Sequence, residues 1–419
     1  MNRQSDEEFA HNRDISSSST KECIRLEGNR TPVKNDDVTI HDDVNDYVFL
    51  KAKKTKKSKD SSAKNSSDDS LFVKSERGHR RRKKKMKKWK KVLIAIGCTL
   101  LALVLIIIGT FSILLYRGNK QLYENDNQVI APEGVEVQDD GQYVIYKGET
   151  YKLNEEVTNI LFMGIDKRNI DETTETGTGG QADVIVLAAV NSRTGKVTLI
   201  NVSRDIMTDV AMYSAGGSYI GMDELQICLA YAYGDGKETS CENTVNAVER
   251  IFYNIPINSY YSLDLDGIAA INDSIGGVDV TSPETIGTFV KGESYHLEGS
   301  MAESFVRTRD QSVVDANTLR MERQKIFINA FMQKVVSQVK QDITAPLDLF
   351  NAASEYSYTN LNASKVCYLA EEMITTGNFT TEMSSVPGEV VMGENFAEFY
   401  IDEEEFYELF LSVYYEKVE

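Results

Sequence analysis

Histidine and cysteine are scarce in this 419-residue chain, with four and five copies, and the shortage removes several kinds of chemistry at the outset. Only His296 lies beyond the apolar run described below. It has no evident serine or cysteine partner, so a triad-type nucleophile is not supported. No GxxxxGK[ST] phosphate loop, HExxH metal motif or GxSxG elbow occurs, and Gly177 to Gly180 reads as a loop signal. Five cysteines are too few for a disulfide scaffold. Cys228 and Cys241 could pair in an oxidising compartment and leave Cys367 alone, or both could be small buried hydrophobes.

Charge is lacking altogether from Val92 to Tyr116, a run of 25 residues where about 20 span a bilayer core. This predicts one transmembrane helix. A cleaved signal peptide would have a shorter apolar core at the very start of the chain, whereas here 91 polar residues come first. The flanks differ in sign: 25 Lys and Arg oppose 15 Asp and Glu in residues 1–91, and 21 oppose 49 in residues 117–419. Eleven of the basic residues fall between Arg77 and Lys91, so that side is expected in the cytoplasm and the acidic domain outside the cell. The run from Arg80 to Lys85, set against the membrane, points to anionic lipid headgroups as partner rather than nucleic acid.

Composition divides the chain further. Residues 1–91 form a polar tail with a low-complexity tract, too poor in apolar residues to order itself. Residues 92–116 are the membrane helix, and 117–155 a linker with a small hairpin around Asp139-Asp140-Gly141. Residues 156–340 are the main domain, and 341–419 an extension that completes or flanks it. Three β-rich runs, Asn159 to Ile165, Val184 to Val190 and Lys196 to Val202, suggest an antiparallel meander joined by the turn at Asn191 to Gly195. Asp166, Asp183 and Arg204 would then emerge at one end of the sheet. Helices are expected over Glu224 to Tyr233, Asn243 to Tyr253, Gly267 to Ile275, Met301 to Phe305 and Asn317 to Val339, and strands over Tyr260 to Leu265 and Val278 to Val280. The alternation indicates an α/β/α sandwich with a central mixed sheet.

Within this acidic domain Arg307, Arg309, Arg320 and Arg323 stand out. Guanidinium is a planar, permanently charged fork that matches phosphate oxygens. Arg307 and Arg309 share a face if extended, and Arg320, Arg323 and Gln324 share one if helical. The alternative for the helical pair is a solvated face paired with carboxylates. Asp166 and Asp183 could hold Mg2+, which takes one or two protein carboxylates plus phosphate oxygens and water.

Taken in order, the motifs NILFMGIDKR (Asn159 to Arg168), ADVIVLAAVNSRTGKVTLINVSRDI (Ala182 to Ile206), AYAYGDG, IGGVDV, HLEGSMAESFVRTRD and RMERQ resemble the LytR-CpsA-Psr cell-wall glycopolymer phosphotransferases. The resemblance spans about Asn159 to Val339. It implies a Mg2+-dependent enzyme that moves a glycopolymer phosphate from a polyprenyl diphosphate carrier to peptidoglycan. By matched motif, Asp166 and Asp183 would hold the metal, and Arg204, Arg307, Arg309, Arg320, Arg323 and Gln324 the diphosphate. Asp183, Arg204, Arg307 and Arg309 would take part in the transfer. The chain departs from the family where Gln181-Ala182-Asp183 replaces the common Arg-Ser-Asp, and where Asn317 stands three before the helix arginine, with Asp315 two residues earlier. A long apolar groove for the polyprenyl chain is expected, with the faces of Ile326 to Val335 and Val245 to Phe252 as candidates. A second reading is a protein that binds the polyprenyl diphosphate without transferring it, in a scaffolding or regulatory role. A transcription regulator is a third, but the tail shows no helix-turn-helix.

Overall fold

The computed structural model describes residues 87–418 apart from 124–127, 170–174, 311–315, 343, 378–379 and 395. Residues 1–86 of the expected polar tail, with the run from Arg80 to Lys85, and Asp315 and the side chain of Asn317 lie outside the described residues. From the first described residues the chain runs as one helix, α1 (Lys88–Tyr123). Its apolar side chains are exposed along the charge-free run, and it is long and apolar enough to cross a membrane. Next come β1 (Glu136–Gln138), β2 (Tyr143–Tyr146) and β3 (Glu149–Leu153). β2 and β3 form a hairpin around Lys147 and Gly148, both at positive φ as a tight two-residue turn requires.

The expected meander is present: β4 (Val157–Ile165) pairs antiparallel with β5 (Ala182–Asn191), and β5 with β6 (Lys196–Val202). A hairpin of β7 (Met207–Tyr213) and β8 (Tyr219–Gln226) follows, and here the structure corrects the sequence. The helix expected from Glu224 is only α2 (Cys228–Ala232), because Asp209 pairs with Glu224 and Met207 with Gln226. Strand pairing overrides a local helical spacing. The chain continues through α3 (Glu238–Ile251), β9 (Ser259–Leu263), α4 (Leu265–Ser274), β10 (Val278–Thr281), β11 (Ser294–Leu297) and α5 (Ser300–Arg307). Then come α6 (Ala316–Val339), α7 (Ala345–Ala353), β12 (Ser357–Thr359), α8 (Ala363–Thr376), β13 (Thr380–Ser385), β14 (Gly388–Met392), β15 (Ala397–Ile401), α9 (Glu403–Tyr414) and β16 (Tyr415–Lys417).

The central sheet has the order β12-β9-β4-β5-β6-β13, with β9 parallel to β4, β13 parallel to β6 and the other pairs antiparallel. It is the mixed sheet that the alternation of elements implied. Residues beyond 340 supply both edge strands, and β16 returns to pair with β3. The central strands are apolar on both faces, as strands covered on both sides must be. Leu161, Met163, Ile165, Ile185, Leu187, Ile200 and Val202 pack on one side with Ala247, Val248, Ile251, Phe406 and Phe410 from α3 and α9. Val186, Ala188, Val197 and Leu199 face the other side, toward Val336 and Met332 of α6.

Candidate functional site

On the α6 side the sheet and helices do not close up. A cavity of about 580 Å³ remains, lined by Phe162, Val184 and Val186 from the sheet and by Phe327, Phe331 and Val335 from α6, with α4, α7 and α8 closing it. Its far end is apolar, at Leu361 and Val366. The same cavity reaches Asp166, Asp183, Asp264, Arg307, Arg309, Arg320 and Gln324, and Asp166, Asp183 and Asp264 stand at the same end of β4, β5 and β9, so charge gathers at one mouth. Of the two apolar faces expected to build a groove, that of α6 lines it, and that of α3 packs into the core on the opposite side of the sheet.

Local backbone geometry assembles the mouth. The β4–β5 register shifts between Gly164 and Ile165, and Asp166 follows at once. Asp166 N–H donates to the Gln181 carbonyl at 3.1 Å, and its Oδ1 accepts from the Gln181 N–H at 2.6 Å. Gly180, at φ +89°, permits this approach, since a Cβ there would lie 2.7 Å from Asp166 Oδ1. Two residues on, Asp183 is ion-paired with Arg204, and Arg320 Nη1 stands 3.7 Å from its Oδ2. Arg307 ends α5 and donates to Glu303 at 2.6 Å. The same Glu303 oxygen accepts from Arg168 at 2.8 Å, and Arg168 also holds Asp266 at 2.6 Å. Arg309 has no carboxylate partner among the described residues.

Not every expected residue reaches the cavity. Arg204 sits behind Asp183: its Nη2 donates to Gln181 Oε1 at 2.6 Å and lies 3.4 Å from Cys228 Sγ, and its Nε is 3.5 Å from Asp205. Arg323, only 1 % exposed, is turned into the α5–α6 contact. Its Nε donates to the Phe305 carbonyl at 2.8 Å, and its other nitrogens meet the Thr308 carbonyl and the Glu284 carboxylate. Gln324 lines the mouth and donates to the Val306 carbonyl at 3.2 Å.

Electrostatics sharpen the contrast between positions. Burial, then the charges of Arg309 and Arg204, push the Arg320 guanidinium below its ordinary pKa, with Asp205 pulling the other way. Such a crowd of cations is destabilised until an anion arrives. Burial pushes the Asp205 carboxyl above the usual carboxylate range, against the pull of Arg204 and Arg320. Gln226 Nε2 donates to it at 3.0 Å. Cys228 and Cys241 are buried free thiols, not a disulfide, and burial drives Cys241 up to about 12.

Asp205, Gln226, Glu303 and Arg168 support the site and were not singled out from sequence as site residues. Arg168 and Asp205 lay inside the quoted motifs, so the motif spacing was the available signal. Glu303 lies inside one too, four residues before Arg307 on the same helix, whereas Gln226 carries no such signal, because it acts through contacts distant in sequence.

The comparisons with known proteins agree with this architecture. The LytR_cpsA_psr family model matches residues 115–411. A polyisoprenyl-teichoic acid–peptidoglycan teichoic acid transferase, TagV of Bacillus subtilis (strain 168), is 26 % identical over 292 residues, covering 66 % of this chain and 68 % of the relative. TagU of Enterococcus faecalis (strain ATCC 700802 / V583), of the same described activity, is 27 % identical over 220 residues, covering 52 % and 65 %. The chain thus spans about two thirds of the length of these relatives. Among solved structures, protein gbs0355 from Streptococcus agalactiae shares the fold with a TM-score of 0.50 at 17 % identity, over 62 % of this chain and 86 % of that one. The match of the family model across most of the chain, with the sheet and cavity its motifs implied, shows that this protein belongs to the LytR_cpsA_psr family.

Proposed function

We propose that the chain is a membrane-anchored phosphotransferase that moves a glycopolymer phosphate from a polyprenyl diphosphate carrier onto peptidoglycan outside the cell. The observation that carries this is the division of the cavity, with Arg307, Arg309 and Arg320 at a charged mouth and a long apolar interior behind them. A polyprenyl diphosphate has the same two parts. The relatives named as teichoic acid transferases support the reaction class. Eleven basic residues ahead of the apolar helix and an acidic domain after it support a cytoplasmic N-terminus, with the basic run against anionic headgroups.

In this reading the acceptor hydroxyl attacks the phosphorus that bears the glycopolymer. The bond to the bridging oxygen breaks, and polyprenyl monophosphate leaves with the electron pair. Arg307, Arg309 and Arg320 hold the diphosphate and stabilise charge that gathers on the leaving phosphate. The hydroxyl proton passes to a carboxylate at the mouth, Asp166 or Asp183. Arg204, behind the mouth, orients Asp183.

Asp166 and Asp183 also fit Mg2+. They are hard oxygen donors at the mouth, and Asp166 has one oxygen engaged by a backbone N–H. No cluster of three or more metal-binding side chains occurs among the described residues, so substrate oxygens and water would complete such a site. When bound, the ion would neutralise charge on the diphosphate.

The test is transfer by the full-length protein in vesicles with Mg2+, a polyprenyl-diphosphate saccharide and peptidoglycan fragments. Wild type should transfer, and Arg320→Ala, Asp183→Ala or chelation should reduce the rate on the order of 100-fold or more. Tight lipid binding with no cleavage would make this a binding protein, and no binding would refute the reading.

A further inference from the structure

α1 is longer than a bilayer requires, and the surplus is engaged. Its 36 residues extend about 54 Å at 1.5 Å per residue, against roughly 30 Å of hydrocarbon. The charge-free run to Tyr116 fills that core, so the residues from Arg117 onward make about two further turns on the domain side. This extension packs against α8. Gly118 and Leu122, one turn apart, are both buried. A Cβ on Gly118 would collide with the Ser364 carbonyl and lie 2.8 Å from the Cβ of Tyr368. Asn119 donates to the Tyr368 hydroxyl at 2.8 Å, Asn362 to Gln121 at 2.9 Å, and Asn258 to the Leu122 carbonyl at 2.6 Å. Lys365 of α8 reaches the same place, donating to the Asn258 carbonyl at 3.2 Å and Ser259 Oγ at 2.9 Å.

The opposite side of α8 faces the cavity. Val366 is two residues from both Ser364 and Tyr368, about 200° around the helix from each, and lines the apolar far end with Leu361. α8 is therefore a wall with the membrane stalk on one side and the cavity on the other. The charged mouth lies at the other end of the strands. Ile160 pairs with Ser259, beside the stalk, and Asp166 is six residues further, roughly 20 Å at 3.3 Å per residue.

We propose that the α1–α8 junction is the lipid portal: the carrier's polyprenyl tail passes from the bilayer beside α1, around α8, and into the cavity at Leu361 and Val366. Docking of the stalk holds that end of the cavity at the membrane surface. The identity of the lipid rests on the phosphotransferase reading above; the position of the portal rests on the stalk.

Gly118→Leu separates the two ideas. Full-length wild type and variant are compared on a long-chain polyprenyl-diphosphate saccharide in vesicles and on a short-chain, water-soluble diphosphate saccharide. The variant should lose at least tenfold in transfer from the vesicle donor while staying within twofold of wild type on the soluble one. Equal loss on both donors, or no loss on either, would overturn the portal. If wild type transfers from neither donor, the phosphotransferase reading falls. The portal is then read from labelling by a photoactivatable polyprenyl phosphate in the same vesicles, where strong labelling of wild type and weak labelling of Gly118→Leu supports it and equal or absent labelling overturns it.

Discussion

Arg320 and Arg323 lie three residues apart on α6, yet their replacement should have opposite consequences. Arg323→Met keeps an unbranched apolar stem and removes a guanidinium that is 1 % exposed. It strands the Glu284 carboxylate and the carbonyls of Phe305 and Thr308. Burial already lowers the pKa of Arg323, so the loss comes mainly from the stranded acceptors. Removing one partner of a buried pair costs about 3–5 kcal/mol, and at 2–4 °C per kcal/mol for a domain of this class the Tm should fall by roughly 10 °C. Arg320→Met, in contrast, relieves a cation crowded by Arg309 and Arg204, and Asp183 keeps its pair with Arg204. Its stability should change by less than about 1 kcal/mol, while loss of a charge-assisted bond worth ~2–3 kcal/mol should weaken diphosphate binding on the order of 50-fold. Calorimetric unfolding of residues 117–419 and titration with a short polyprenyl diphosphate measure both quantities. An Arg323→Met protein with unchanged Tm and lost binding would refute the division of roles.

Four further outcomes are expected. Glu303→Gln weakens the hold on both Arg168 and Arg307 and should lower kcat/KM about tenfold with Tm shifted by only a few degrees; unchanged kinetics would remove Glu303 as a positioning residue. Ala353→Phe, at the apolar wall, should weaken long-chain lipid binding by at least about tenfold and leave a tail-less diphosphate unaffected. Because burial raises the folded-state pKa of Asp205 above its ordinary 3.8, its contribution is largest at low pH and declines as pH rises from 3.8 through the raised value. Asp205→Asn should therefore gain on wild type in denaturant titrations across that window, and a constant difference would contradict the assignment. In residues 117–419, Cys367 should react with a thiol reagent in the native state, and Cys228 and Cys241 only on unfolding; a chain showing one thiol in total would point to a disulfide instead.

Much of this site is legible in one dimension because its key residues sit at strand ends. Three apolar runs with a short turn fix an antiparallel meander, and the meander alone gathers Asp166, Asp183 and Arg204. The helical spacing of Arg320 and Gln324 likewise puts both at the cavity mouth. Arg323 shows where that reasoning ends. It is about 60° from Arg320 around the helix, and whether that offset meets the mouth or the end of α5 depends on a helix contact no local pattern encodes. β8 defeats local reading because its pairing with β7 overrides a helical spacing, and its last residue, Gln226, is further held by Asp205 and by the Ala397 carbonyl from far along the chain. The edge strand β12, only Ser-Tyr-Thr, has no alternation to detect, and α3 and α6 present similar apolar faces although only one lines the cavity.

The most direct measurement is a co-crystal structure of residues 117–419 with a polyprenyl diphosphate bound. The account predicts phosphate oxygens within hydrogen-bond reach of Arg307, Arg309 and Arg320, and the isoprenoid chain running past Phe327, Phe331 and Val335 toward Leu361. A diphosphate bound away from these arginines, or a tail lying outside the sheet–α6 cavity, would contradict it.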